Sequence, residues 1–231
     1  MKLAREGYPF ALGAILLAAA AWAGAVRLDA TWLVVVAAVL SALALFVLWF
    51  FRDPSRPLPV GDDLVVAPGE GRVIGVGAAH EPTFIGETAH KISIFLSVFD
   101  VHVQRAPVSG TVGHRSYKPG KYAVAWLDKA SDDNEQASLG IETPNGKVLV
   151  RQIAGLVARR IITDPSEGDR VERGARIGLI RFGSRVDLFL PTSWEVTCKV
   201  GDRARVGATV LARQSASVPA RDGAPGGAPV P

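Results

Sequence analysis

Two long apolar runs open the chain. No charged residue occurs over residues 8–26 or 30–51, and only three residues separate the two runs. Each run is long enough to cross the ~30 Å hydrocarbon core of a bilayer as a helix. The pattern therefore predicts an N-terminal transmembrane helical hairpin over residues 1–51. A cleaved signal peptide for the first run and a shallow re-entrant hairpin are the alternatives.

Beyond residue 51 the apolar runs become short and are broken by Gly, Pro, Asn and Asp, which is typical of a mainly β domain. The segments that read as strands are VVAPGEGRVIGV, HKISIFLSVFDVHVQ, GTVGHRSY, ASLGIETPNGKVLVRQIAG, RIITD, ARIGLIRFG, RVDLFLP and WEVTCKV. Asn145-Gly146 favours a tight hairpin turn, and the best helical signal covers residues 126–136. We predict a β-rich domain over residues 52–213 and a disordered tail over 214–231.

The β domain contains two related half-motifs. VVAPGEGRVIGV and SEGDRVERGARIGLI each place a turn before a hydrophobic strand, an arrangement that recurs in biotinyl and lipoyl carrier domains. We therefore predict a flattened β-barrel or sandwich related to those barrels. No lysine stands in a hairpin suited to lipoyl or biotin attachment, so carrier function itself is not predicted.

Charge adds a prediction about location. The 26 Lys and Arg and 22 Asp and Glu give a net charge of +4, and the basic residues are scattered, which argues against a nucleic-acid partner. Lys2 and Arg5 precede the first apolar run, while Arg52 and Arg56 follow the second. The positive-inside rule then places both ends of the hairpin in the cytoplasm. We expect the β domain on the cytoplasmic side of the cell membrane.

One group of motifs is more specific. The strings FFRDPSRP, APGEGRVIGV, FLSVFDVHVQRAPVSGTV, DNEQ, GLVARRI and GDRVERGARIGLIRFGSRVDLFLP stand in the order found in phosphatidylserine decarboxylases. From about residue 50 to 191 the chain resembles that family, and particularly its short, membrane-embedded class of pyruvoyl-dependent proenzymes. The combination, rather than any single string, carries the resemblance.

The resemblance implies that the Gly183-Ser184 bond cleaves itself. Fragments 1–183 and 184–231 would then form a heterodimer, and Ser184 would become a pyruvoyl group that forms a Schiff base with phosphatidylserine in the membrane. The products would be phosphatidylethanolamine and carbon dioxide, and the resemblance implies neither a metal nor a diffusible cofactor. The residue types suit this chemistry, because glycine leaves its carbonyl open and the next serine supplies an intramolecular nucleophile.

Two further residues are predicted to be catalytic. In SVFDVHVQRAP, Asp100, His102 and Gln104 are expected to share one face of a strand. His102 matches a histidine of the family motif and could transfer protons; the alternative is a hydrogen-bonded strand histidine. Glu70 in APGEGRV stands where the family's larger bacterial members have the aspartate of an Asp, His and Ser relay. A simple turn carboxylate is the alternative for Glu70.

Arg105 falls where the histidine of that relay would stand, so the relay is not carried over whole. Arg105 and Arg185 are candidates for binding the phosphate or carboxylate of the substrate. Solvated basic residues at the membrane face are the alternative reading of both.

Other functions are compatible with parts of the pattern. A barrel-type metallopeptidase would share the VVAPGEGRVIGVG opening, but His80, His90 and His114 lack the spacing of a zinc site, and we expect no metal. A membrane-tethered barrel adaptor would need long helical hairpins in the β domain. A decarboxylase of another phosphoserine lipid, such as archaetidylserine, and assembly into a higher homo-oligomer stay open.

Overall fold

A computed structural model describes residues 2–120, 134–155, 160–181 and 183–215. It confirms the two N-terminal helices, α1 (Tyr8–Leu28) and α2 (Thr31–Phe50), which follow a short 3-10 turn at Arg5–Gly7. By length and composition both helices could cross a membrane. The absence of charged residues predicted both helices. In lipid, a single apolar segment can satisfy its own backbone hydrogen bonds only as a helix.

Small side chains join the two helices. The residues that the pair buries are mainly alanines, at positions 11, 18 and 25 of α1 and 37 and 44 of α2. Alanine allows helix backbones to approach closely, as at helix interfaces in membranes. Most of the larger aliphatic and aromatic side chains on the pair point outward and are exposed. The hairpin therefore presents an apolar outer surface suited to lipid.

The base of the hairpin is closed by a short two-stranded sheet. Strand β1 (Lys2–Leu3) pairs antiparallel with β2 (Arg52–Asp53), and the Ala4 N–H donates to the Phe51 carbonyl at 2.7 Å. Both ends of the hairpin therefore lie on the same side of it. This pairing also crosses the predicted boundary at residues 51 and 52, so the hairpin is hydrogen-bonded to the start of the β domain.

The rest of the described chain is mainly β. Its strands are β3 (Leu64–Val66), β4 (Gly71–Glu81), β5 (Glu87–Leu96), β6 (Val103–Arg105), β7 (Gly110–Lys118), β8 (Gln136–Thr143), β9 (Gly146–Ala154), β10 (Ile161–Thr163), β11 (Arg170–Val171), β12 (Arg176–Ile180), β13 (Ser184–Pro191), β14 (Glu195–Val196), β15 (Arg203–Ala204) and β16 (Val210–Arg213). The predicted fold class is confirmed: the domain is mainly β and follows two apolar helices.

An eight-stranded antiparallel sheet forms a curled half-barrel in the order β11-β7-β8-β9-β13-β5-β4-β15. Two three-stranded sheets, β10-β12-β6 and β14-β16-β3, complete the domain. Residues from all three sheets form one buried core, including Ile94, Leu188, Ile177 and Leu211. Strand β13 lies in the middle of the large sheet, between β5 and β9. A central strand is buried on both faces, which explains why RVDLFLP is almost continuously buried.

Several local predictions need correction. The segment HKISIFLSVFDVHVQ is not one strand, because a turn at residues 97–102 separates β5 from β6. The hairpin between β8 and β9 turns at Pro144-Asn145, and Gly146 begins β9 with φ +140°. Most of the helix predicted over 126–136 lies outside the described residues, and its last residue begins β8. Most of the predicted tail also lies outside them.

Candidate active site

Ser184 is the first residue of β13 and is completely buried. It pairs with Leu96 at the end of β5 and with Ala154 at the end of β9. Its Oγ has no hydrogen-bond partner among the described residues. A buried hydroxyl without a partner is uncommon, because burial removes its hydrogen bonds to water without replacement. The position is therefore energetically unfavourable for an ordinary structural serine.

Gly183 precedes Ser184 in a left-handed conformation, with φ +50°. Residues with a Cβ disfavour this region by roughly 1–2 kcal/mol, so glycine is the natural choice here. Among the described residues, no heavy atom outside its immediate chain neighbours would lie within 4 Å of a Cβ added to Gly183. The bond between Gly183 and Ser184 thus joins a glycine with free space beside its Cα to a serine whose hydroxyl is buried.

The two sides of β13 have different environments. Ser184 alternates with Val186 and Leu188, which belong to the main core, so Ser184 faces that core. Arg185 points to the opposite side of the sheet. There its guanidinium donates to both carboxylate oxygens of Asp187, at 2.6 and 3.1 Å, and to the Ser93 hydroxyl. Arg185, which was predicted to bind substrate, instead forms an ion pair with Asp187 on the side of the sheet opposite Ser184.

His102 is also completely buried, at the end of the 97–102 turn. The ring of Phe50, the last residue of α2, covers it with centroids 4.3 Å apart. Its Nδ1 lies 3.0 Å from the Asp100 carbonyl oxygen. Since a carbonyl can only accept, Nδ1 carries the proton and Nε2 carries the lone pair. Nε2 has no hydrogen-bond partner among the described residues, so His102 and Ser184 are not hydrogen-bonded to each other.

Burial sets the charge of His102. Loss of contact with water lowers the pKa of the imidazole from 6.5 to about 4, although the Asp100 carbonyl and carboxylate favour the protonated ring. A neutral imidazole with a free lone pair is a competent proton acceptor at neutral pH. The prediction that His102, Asp100 and Gln104 lie in one strand is wrong, since only Gln104 belongs to β6.

The 97–102 turn is held by its own acidic residue. The Asp100 carboxylate accepts hydrogen bonds from the backbone N–H and the hydroxyl of Ser97, at 2.8 and 2.7 Å. It also pairs with Arg203. Asp100 therefore positions His102 in two ways. Its carbonyl oxygen accepts a hydrogen bond from the ring, and its carboxylate holds the turn that carries His102.

Glu70 lies in the turn between β3 and β4, close to the Ser184 pairing partner. Its neighbours pack tightly there: a Cβ added to Gly71 would lie 1.9 Å from the Phe95 carbonyl oxygen. The Glu70 carboxylate is buried and forms an ion pair with Arg56. The turn at residues 69–71 and the turn at residues 97–102 thus meet at the end of β5, beside Ser184. The sequence did not indicate the Arg56 partner, because the pair is non-local.

Two arginines near this site differ in their partners. Arg105 donates to the Asp53 carboxylate at 2.5 Å and to the Gly174 carbonyl at 2.9 Å. Arg181, which the sequence analysis overlooked, precedes Gly183 by two residues and places its guanidinium over the ring of Phe10 in α1, 5.0 Å from the centroid. Its Nε is buried without a hydrogen-bond partner, and Arg181 forms no ion pair among the described residues. Arg105 thus has a carboxylate partner, whereas Arg181 has none among the described residues.

Asn134 was also overlooked, although it stands in the DNEQ string. It is completely buried, and its side-chain N–H donates to the Ala154 carbonyl at 2.7 Å. Ala154 pairs with Ser184. The buried amide thus fixes the strand end beside the serine. Within the described ranges, no group of three His, Cys, Asp or Glu residues could hold a metal ion.

The family model described as phosphatidylserine decarboxylase matches residues 43–212. The chain is 51% identical to a phosphatidylserine decarboxylase proenzyme of Symbiobacterium thermophilum, over 91% of this chain and 95% of the relative. It is 46% identical to one from Magnetococcus marinus, over 91% and 94%, and 44% identical to one from Geobacter metallireducens, over 90% and 95%. The residues matched by the family model include the Gly183-Ser184 bond.

Proposed function

The chain belongs to the phosphatidylserine decarboxylase family of carboxy-lyases, and we propose that it is a self-cleaving proenzyme that converts phosphatidylserine to phosphatidylethanolamine and carbon dioxide in phospholipid biosynthesis. The observation that carries this proposal is the buried hydroxyl of Ser184, which has no partner among the described residues and follows a left-handed glycine. Neither a barrel-type metallopeptidase nor a membrane-tethered adaptor accounts for that pair.

Self-cleavage begins with the Ser184 hydroxyl. Its oxygen adds to the carbonyl carbon of Gly183, and the amide bond between the two residues breaks as an ester forms. Because nucleophile and carbonyl belong to adjacent residues, no encounter is needed. Removal of the Cα proton of residue 184 then expels the Gly183 carboxylate and leaves a dehydroalanine on fragment 184–231. Hydrolysis of that terminus releases ammonia and gives the pyruvoyl group.

The surroundings of residue 184 fit this product. The serine Oγ leaves with the Gly183 carboxylate, and the serine Cβ becomes a methyl group. Because the Oγ has no partner among the described residues, its departure leaves none of them with an unpaired polar group. Once formed, the pyruvoyl carbonyl supplies an electron sink for the loss of carbon dioxide from an amine substrate.

We assign the proton transfers to His102. It is neutral at physiological pH, its Nε2 has no hydrogen-bond partner among the described residues, and it lies in the turn that follows the pairing partner of Ser184. Proton transfer to Nε2 requires the two side chains to approach each other, as catalytic hydrogen bonds often shorten only during reaction. Glu70, held by Arg56, orients the neighbouring turn and is the second candidate for proton transfer.

The two fragments would stay together after cleavage. Strand β13 begins at the new terminus and pairs with β5 over eight residues and with β9 over six. β15 and β16 of the small fragment also pair with β4 and β3 of the large one. The proposed mature enzyme is thus a heterodimer whose smaller chain supplies the central strand of the sheet.

The hairpin would hold the site at the membrane surface. Phe50 at the foot of α2 covers His102, and Phe10 of α1 lies under Arg181. With both ends of the hairpin on one side and basic residues at each, we propose that the β domain lies on the cytoplasmic face of the cell membrane. The lipid headgroup would then reach the site from the bilayer, with Arg181 and Arg105 as the cations for its phosphate or carboxylate.

Intact-mass analysis of the purified protein tests the proposal. We expect two chains, 1–183 and 184–231, the smaller lacking the serine amine and resisting N-terminal sequencing. Ser184→Ala should give a single uncut chain without decarboxylase activity. Ser109→Ala, which changes an exposed serine next to another glycine, should cleave normally. An active preparation that contains only uncut chain would refute the mechanism.

A further inference from the structure

The 97–102 turn carries an exposed aromatic side chain beside α2. Phe99 is 66% exposed, yet its ring contacts the ring of Phe46 edge-on, with centroids 6.4 Å apart. The Phe99 carbonyl accepts a hydrogen bond of 2.7 Å from Arg52, whose guanidinium also lies over Trp49. The turn is therefore fixed against the last turns of α2, and its largest apolar side chain points away from the domain.

Helix geometry shows which part of α2 the Phe99 ring contacts. Phe46 precedes Phe50 by four residues, which is about 6 Å along an α-helix at 1.5 Å per residue. Arg52 and Trp49 mark the polar end of α2, as basic and tryptophan side chains do at a membrane interface. The Phe99 ring thus packs beside Phe46, a residue one helical turn before Phe50 in the apolar part of α2. In a bilayer crossed by α2, an exposed phenyl ring at this position would contact lipid.

We infer that the 97–102 turn is inserted into the membrane, with Phe99 in contact with the acyl chains of the leaflet that holds the substrate. The inference rests on the membrane anchoring proposed above and adds a lipid-contact residue in the β domain. It has a functional consequence, because the same turn carries His102 at its far end. Insertion of Phe99 holds the proton-transferring residue at headgroup depth, where a substrate lipid need not leave the bilayer.

Fluorescent labels at single cysteines test the depth of Phe99. Cys198 is the only cysteine, so Cys198→Ala provides a background for Phe99→Cys, Leu45→Cys and Val60→Cys. Leu45 is exposed on α2, and Val60 is fully exposed. Val60 stands between Leu58 and Asp62, which line a cavity together with Asn145, at the end of β9 remote from Ser184. In vesicles with brominated acyl chains, we expect quenching of an environment-sensitive dye at positions 99 and 45, but not at position 60.

The outcomes separate the two proposals. Quenching at position 45 with a water-exposed label at position 99 would overturn the inserted turn and leave the membrane anchor intact. If neither label is quenched, the anchor fails and the inserted turn fails with it. A label at position 60 quenched as strongly as that at 99 would also overturn the inference, since it would show non-specific association.

Activity provides a second readout. We expect Phe99→Ser to raise KM for phosphatidylserine in vesicles by about tenfold, the factor that ~1.4 kcal/mol gives. KM for a short-chain, monomeric substrate should not change, and intact mass should show complete self-cleavage. Phe99→Leu, which keeps an apolar side chain, and Val60→Ser should behave like the parent enzyme. An equal loss with both substrates would instead indicate damage to the His102 turn and would overturn the inference.

Discussion

Acid should destabilise the protein through His102 in particular. Its pKa falls from 6.5 to about 4 on burial, so between those pH values the unfolded chain binds a proton that the folded chain does not. Stability then decreases as the pH falls from 6.5 towards 4. The full shift corresponds to about 3 kcal/mol at 1.36 kcal/mol per pH unit, and about 2 kcal/mol of it is lost by pH 5.

Urea unfolding of the Ser184→Ala protein in detergent measures this loss without cleavage. The parent and His102→Gln should be compared at pH 7.5 and pH 5, so that every other titrating group cancels. We expect the variant to lose about 2 kcal/mol less than the parent over this interval. His90→Gln, at a histidine outside the site, should lose as much as the parent. The same loss in parent and His102→Gln would refute the argument that the buried imidazole is neutral.

Two other side chains give sharp expectations. Arg181→Gln should raise KM for phosphatidylserine about tenfold, as expected for the loss of ~1.4 kcal/mol of anion binding. Arg181→Lys should restore part of this affinity, and intact mass should show normal cleavage in both variants. An unchanged KM in Arg181→Gln would contradict the assignment. Burial opposes ionisation of Glu81, but hydrogen bonds from the Thr83 hydroxyl and three backbone N–H groups outweigh it and lower the pKa to about 2. Glu81 also pairs with Arg151 at 2.7 Å, so Glu81→Gln should lower the free energy of urea unfolding at pH 7 by roughly 3 kcal/mol, whereas the exposed Glu87→Gln should change it little.

The sequence predicted well what local pattern controls. Charge-free runs predicted both helices, and short apolar runs predicted most strands, because each pattern has a direct physical cause in the burial of that segment. The 97–102 turn was missed, since apolar residues continue through it and pack against α2. The turn is specified by Asp100, whose side chain bonds back to Ser97, a local signal that the strand pattern hid.

The candidate site was harder to predict, because its interactions join distant parts of the chain. Ser184 was identified from the motifs around it, but burial and the missing partner of its hydroxyl come only from the folded sheet. Arg185 was expected to bind substrate, yet alternation along β13 turns it away from Ser184, and it pairs with Asp187. The pairs of Glu70 with Arg56 and of Arg105 with Asp53 join the connector after α2 to the β domain. No pattern within a single segment indicates such pairs.

The helical hairpin influences the chemistry of the candidate site through the contact between Phe50 and His102. Burial is the largest cause of the low pKa of His102, and the ring of Phe50 provides part of that burial. The last residue of α2 thus helps to keep the imidazole neutral and able to accept a proton. Phe99, on the same turn, packs against Phe46 of α2. An anchor that only tethered the domain could be joined by any flexible linker, whereas here its end forms a wall of the site. The hairpin should therefore be regarded as part of the candidate site, and not only as an attachment of the β domain.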